Sequence, residues 1–160
     1  PFFLLAEQTI PYNVLFRGLG YLYKRQLQPL VDMETGEIIG AEALTRWIDK
    51  DGSLIPPASF IPALEESGFV VTLDKYIWQG VASWLRKRID QGLRVIPISL
   101  NVSRVDILAC DVAKHMSALA AQYNLPPELM RIEITETAYT GASEAVAKLP
   151  ADLHNQGFSS

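Results

Sequence analysis

A single cysteine, Cys110, stands in the whole 160-residue chain. One thiol closes no internal disulfide, and the lack of any CxxC or Cys/His cluster removes the sequence signature of a zinc site. A lone free cysteine behaves as a small buried hydrophobe, and its use here points to a reducing, cytoplasmic compartment. Charge of one sign is also scarce: 14 Lys and Arg oppose 18 Asp and Glu, for a net charge of −4. No basic run is long enough to hold DNA or a membrane surface by bulk charge. No apolar stretch approaches the roughly 18 residues of a membrane-spanning helix. The opening Pro1-Phe2-Phe3-Leu4-Leu5-Ala6 has neither an initiator Met nor a basic leader, so it is expected to be an internal segment and not a signal peptide. Internal repeats and low-complexity segments are absent too, which excludes solenoids and linker-like tails.

What is present is an ordinary globular composition, 49% apolar, on a chain long enough for one domain with a core. Residues 1–20 show no clean period and read as a lead-in from an upstream region; a short helix is one option there. From residue 21 the pattern is regular. Leu22–Val31 and Ile38–Trp47 read as strands joined by the turn Asp32–Glu37, hence a hairpin. A loop at 49–52 follows. Pro57–Glu66 reads as a short helix stopped by Gly68, and Leu73–Ile89 as a longer one with Ile77, Val81, Trp84 and Leu85 on one face and Gly92 beyond its end. Val95–Val102 is the next strand. Val105–Tyr123 carries apolar residues at helical spacing and reads as one amphipathic helix. Pro126-Pro127 breaks the chain, Met130–Thr135 is a strand, and Ser143–Gln156 a last helix with Ser143 as its N-cap and Gly157 at its end. Strands alternating with helices predict an α/β fold with parallel pairing. A (β/α)8 barrel needs about 250 residues, so either part of a barrel or a smaller open sheet fits this length.

Three strands place polar residues where burial is costly. Period-two alternation puts Gly40, Glu42, Leu44 and Arg46 on one face, Ser99, Asn101 and Ser103 on another, and Arg131, Glu133 and Thr135 on a third. Buried carboxylates are unfavourable unless paired or metal-bound. Glu42, Asn101 and Glu133, if brought together, would form an all-oxygen site for a hard cation such as Mg²⁺ or Mn²⁺. The alternative is structural: Glu42 pairs with Arg46, Glu133 pairs with Arg131, and Asn101 caps a loop. Trp47, Trp78 and Trp84 read as core residues before nucleotide stackers. His115 and His154 have no evident catalytic partner.

These same residues carry a resemblance. Gly40-Ala41-Glu42-Ala43-Leu44-Thr45-Arg46-Trp47 resembles the signature of the EAL domain, a bacterial phosphodiesterase that linearises cyclic di-GMP. Leu27-Gln28-Pro29-Leu30-Val31-Asp32 with Thr35-Gly36 resembles the family's QPIVD…TG opening. Phe60-Ile61-Pro62 with Glu65-Glu66-Ser67-Gly68 is similar to its FIPxAExxG segment, although Leu64 replaces part of the usual Ala-Glu pair. Ser99-Leu100-Asn101-Val102-Ser103 and Ile132-Glu133-Ile134-Thr135-Glu136-Thr137 resemble its NxS and EITE strands. The motifs occur in family order over residues 21–160.

The resemblance implies a modified TIM barrel whose first strand is antiparallel, of which residues 21–160 would be the N-terminal part. It implies Mg²⁺ or Mn²⁺ held by Glu42, Asn101 and Glu133, with Glu42, Glu133 and Glu136 as the catalytic carboxylates. Glu136 matches a glutamate that anchors a later loop. Gln28 would contact a guanine or the ligand backbone, Arg46 a phosphate, and Leu44 would pack on the nucleotide. The implied reaction is hydrolysis of cyclic di-GMP to linear pGpG; the alternative is a degenerate EAL domain that acts as a cyclic di-GMP receptor or an interaction module. The family's next motif, Asp-Asp-Phe-Gly, and its later lysine would follow position 160, so the 160 residues alone are expected to be inactive. A homodimer and an upstream GGDEF or sensor module are the family's usual context.

Overall fold

The computed structural model describes residues 14–15, 22–49, 51–139 and 144–160. The expectation of an N-cap at Ser143, and most of the lead-in, lie outside those residues. Val14–Leu15, read above as part of that lead-in, form a short strand, β1. Then come β2 (Leu22–Val31), β3 (Ile38–Ile48) and a two-residue β4 (Leu54–Ile55). Helices α1 (Pro57–Glu66) and α2 (Val70–Asp90) lead to β5 (Ile98–Val102). Helices α3 (Arg104–Ala109) and α4 (Val112–Gln122) lead to β6 (Met130–Ile134), and α5 (Glu144–Asn155) follows.

The strands form one mixed sheet in the order β1-β2-β3-β5-β6, with β4 paired to β3. β2 and β3 are antiparallel, as the hairpin reading requires, and β3, β5 and β6 run parallel. The hairpin turn is built locally. Asp32 Oδ1 accepts from the Glu34 and Thr35 amides at 2.9 and 2.8 Å, and Gly36 takes the positive φ of +70° that the reversal needs.

Alternation divides the sheet cleanly. Leu27, Ala41, Ala43, Ile98, Leu100, Val102, Met130 and Ile132 are all buried in one core with Trp78, Val81, Ala82 and Leu85 of α2 and Met116 of α4. Each fully buried aliphatic side chain contributes about 1.5–3 kcal/mol. This helix-covered layer holds the opposite, polar face of the strands in place.

β4 is a strand the sequence reading lacked, α2 starts three residues earlier than expected, and two further differences have a clear local cause. Val105–Tyr123 is two helices, because competing caps interrupt the apolar period. Ser103 Oγ accepts from the Asp106 amide at 3.2 Å while Asp106 Oδ2 accepts from the Ser103 amide at 2.8 Å, a reciprocal capping box that starts α3 early. Cys110 is then extended, and Asp111 Oδ1 accepts from the Lys114 amide at 3.0 Å to start α4. The strand expected at Val95–Val102 is shortened to Ile98–Val102. Pro97 has no amide to donate to a ladder, and its carbonyl accepts from the Ala41 amide at 3.0 Å instead.

Candidate active site

The polar face is where the predicted residues meet. Register places Gln28 opposite Glu42 across the antiparallel pair, Glu42 beside Ser99, and Asn101 beside Glu133. Asn101 Nδ2 donates to Glu42 Oε1 at 2.9 Å, bridging two strands that lie 59 residues apart in sequence. The alternative in which Asn101 caps a loop is therefore not what forms. The Asn101 backbone is itself held, since Trp78 Nε1 donates to its carbonyl at 3.1 Å. Trp78 is 1% exposed, so the core reading of this tryptophan holds and also explains how Asn101 is fixed. Trp47 meets Phe60 edge-on at 5.2 Å and Trp84 lies under the Arg88 guanidinium at 5.0 Å. His115 packs its ring 5.7 Å from Trp78, and burial holds its imidazole below its ordinary pKa.

Asn101 and Glu133 are the penultimate residues of β5 and β6. That is the carboxyl end of parallel strands, where α/β folds assemble ligand sites. A cleft of about 190 Å³ opens there, lined among others by Leu44, Arg46, Asp74, Trp78, Asn101 and Thr135. Arg46 Nη1 donates to the Thr45 carbonyl at 3.2 Å, and Leu44 and Arg46 are both half-buried. Gln28 is exposed on the same face of the sheet. Glu136 opens a short 3-10 turn, Glu136–Tyr139; the expectation for its side chain falls outside the described residues.

The donor set fits a hard divalent cation in kind. Two carboxylates and one amide lie on adjacent strands, and an Asn that gives its NH₂ to Glu42 keeps its carbonyl oxygen for another partner. Among the described residues no three His, Cys, Asp or Glu side chains cluster as a metal site; the set is two glutamates and an amide.

Sequence reasoning missed the acidic side of the cleft. Asp74 on α2 and Glu65 on α1 line it. Burial first, then the charge and hydrogen bond of Asp106, then the charge of Glu65 push the Asp74 carboxyl up to about 8. A signal for Asp106 was there: Ser103-x-x-Asp106 is capping-box spacing. For Asp74 there was none, because an Asp in an amphipathic helix reads as solvated surface.

The EAL domain family matches residues 23–159. RocR, a cyclic di-GMP phosphodiesterase of Pseudomonas aeruginosa, is 32% identical over 122 residues, covering 75% of this chain and 30% of RocR. YkoW, a signalling protein of Bacillus subtilis, is 31% identical over 110 residues, covering 69% of this chain and 14% of YkoW. The chain thus spans less than a third of the length of either relative. Among solved structures, the phosphodiesterase MucR in complex with cyclic di-GMP superposes with a TM-score of 0.72 at 23% identity, over 85% of this chain and 56% of that one. This likeness establishes a TIM-barrel-like EAL fold, in agreement with the α/β architecture and the antiparallel β2.

Proposed function

The chain belongs to the EAL domain family, and from that premise we propose that residues 21–160 form the N-terminal part of an EAL barrel that hydrolyses cyclic di-GMP to linear pGpG. The observation that carries this reading is the Asn101–Glu42 bridge with Glu133 in register beside it. Two carboxylates are retained on one sheet face only if something there stabilises them. Glu42, Asn101 and Glu133 would hold Mg²⁺ or Mn²⁺. When bound, such an ion lowers the pKa of a water and stabilises the attacking and leaving oxygens of an in-line displacement at phosphorus.

The chain's own residues bind and orient. Arg46 presents a planar donor fork, suited to two oxygens of one phosphate. Leu44 offers an apolar surface beside it, and Gln28, with both donor and acceptor atoms, suits a base edge or the ligand backbone. Asn101 restrains Glu42 through its NH₂ group, and Trp78 restrains Asn101. The Glu136 carboxylate is assigned to anchoring a later loop. Intact Glu42, Asn101 and Glu133 favour the enzyme over a ligand receptor without turnover. No helix among the described residues is long and apolar enough to cross a membrane; we place the protein in the cytoplasm, as a homodimer downstream of a GGDEF or sensor module.

The test is chromatographic detection of pGpG after incubating the protein that contains these residues with cyclic di-GMP and Mn²⁺. Glu42→Gln should lower the rate by at least about 100-fold, since even outer-shell partners of a metal are worth 10–100-fold. Undiminished hydrolysis in that variant would refute the assignment.

A further inference from the structure

Asp74 in the wall of the cleft and the buried Asp106 behind it are a second pair of carboxyl groups that the reaction above does not use. Asp106 is wholly buried, at 0% exposure. Its Oδ2 is saturated by Ser103, accepting from the amide at 2.8 Å and from Oγ at 2.6 Å. Its Oδ1 receives no hydrogen bond from any other donor among the described residues. The Asp74 side chain, on the packed neighbour helix α2, lies within hydrogen-bonding reach of the Asp106 carboxyl. Two ionised carboxylates have no proton to place between them, and a buried acceptor left without a donor is unfavourable. One proton on Asp74 removes both difficulties, as in carboxyl pairs whose like charges cannot both ionise.

We propose that Asp74 and Asp106 share a single proton, with Asp74 donating it to Asp106 Oδ1, so that Asp106 is a positioning residue that keeps Asp74 uncharged at the wall of the cleft. Among the charged neighbours, Glu65 favours this state, whereas the Arg46 cation favours an ionised Asp74. From α1, Glu65 adds a further negative charge. From β3, Arg46 lines the cleft, and β5 brings no titratable side chain. From α4, His115 lies against Trp78, one turn beyond Asp74. On α2 itself, Lys75 interacts with Cys110 and His115. The consequence for ligand binding rests on the proposed function: a phosphodiester is anionic, and an ionised Asp74 would add a second carboxylate beside Glu65 to repel it.

The pair is tested by ¹³C NMR of the protein that contains these residues, labelled at aspartate side-chain carbons, from about pH 5 to about pH 10, far above the ordinary aspartate range. One carboxyl should titrate near pH 8 and vanish in Asp74→Asn. In Asp106→Asn the new amide can donate to an ionised Asp74, so that transition should move down by at least about one pH unit. An unmoved transition, or none above about pH 6, overturns the proposal. Should Asp106→Asn fail to fold, Asp106→Gln, which also supplies a donor, decides: the Asp74 transition should again move down, and an unmoved one refutes the pair. With cyclic di-GMP as the probe, wild-type affinity should weaken about tenfold across the Asp74 transition, roughly one pK unit of coupling, and Asp74→Asn should show no such change. Equal pH dependence in both proteins overturns the link to the ligand. Absence of binding by both at every pH counts against the proposed function, while the carboxyl titration independently decides the pair.

Discussion

Asn101 does more than any other side chain to assemble the polar face, because one amide joins β3 to β5 and stands beside β6 in register. Asn101→Ala should leave the Trp78 bond intact, since that bond uses the backbone carbonyl. It should weaken Mn²⁺ binding by roughly 10–100-fold, read by isothermal titration calorimetry. Asp74 gives a pH prediction whose sign follows from its raised carboxyl, about 8 in the folded chain against an ordinary 3.8. Below the lower value both states are protonated. Between the two values the unfolded chain ionises while the folded one keeps its proton, so stability falls as pH rises, and above about 8 the loss is complete. Asp74→Asn cannot ionise. Calorimetric melting should therefore show the variant gaining on wild type from pH 4 to 8, with a constant difference beyond.

At the scale of elements, the junction at β5 and α3 couples folding to the site. Ser103 follows Asn101 by two residues and caps α3 through Asp106. Ser103→Ala removes the Oγ partner of a buried carboxylate and an N-cap together, and urea titration should show a loss of about 1–2 kcal/mol. The split between α3 and α4 has the same origin. Helical periodicity continues through Cys110, but side-chain oxygens at Ser103 and Asp111 compete locally for the backbone amides. Apolar periodicity carries no trace of those oxygens, so by itself it predicts one helix where two form. The strand at Val95 was overextended for a related reason, because Pro97 fits the apolar pattern yet supplies no amide.

Over the whole molecule, the helix layer and the C-terminal segment hold the sheet in register. Gly157, at a φ of +86°, turns the chain out of α5, Phe158 is 2% exposed, and the Ile132 amide donates to the Ser159 carbonyl at 2.8 Å along β6. Phe158→Ala should cost about 3–5 kcal/mol, the range for a buried Phe truncated to Ala, and chemical denaturation would show it. Because β6 carries Glu133, the same change should loosen the site by displacing a strand and no ligand.

Local chemistry settled much of this protein. The hairpin, α1, the α2 stripe and the two-faced strands were all legible, because alternation and helical spacing are properties of neighbouring residues. Glu42, Asn101 and Glu133 could be named as oxygen donors, since a polar residue at an inward strand position is conspicuous in one strand at a time. That Asn101 reaches Glu42, while Trp78 steadies Asn101, is decided by the register of parallel strands joined through long crossovers, and no short-range pattern encodes that register. The Asp74–Asp106 contact is of the same kind. Asp74 looks solvated on its own helix and Asp106 reads only as half of a cap, and it is the packing of α2 against α3 that brings the two together and makes one proton serve two carboxyl groups.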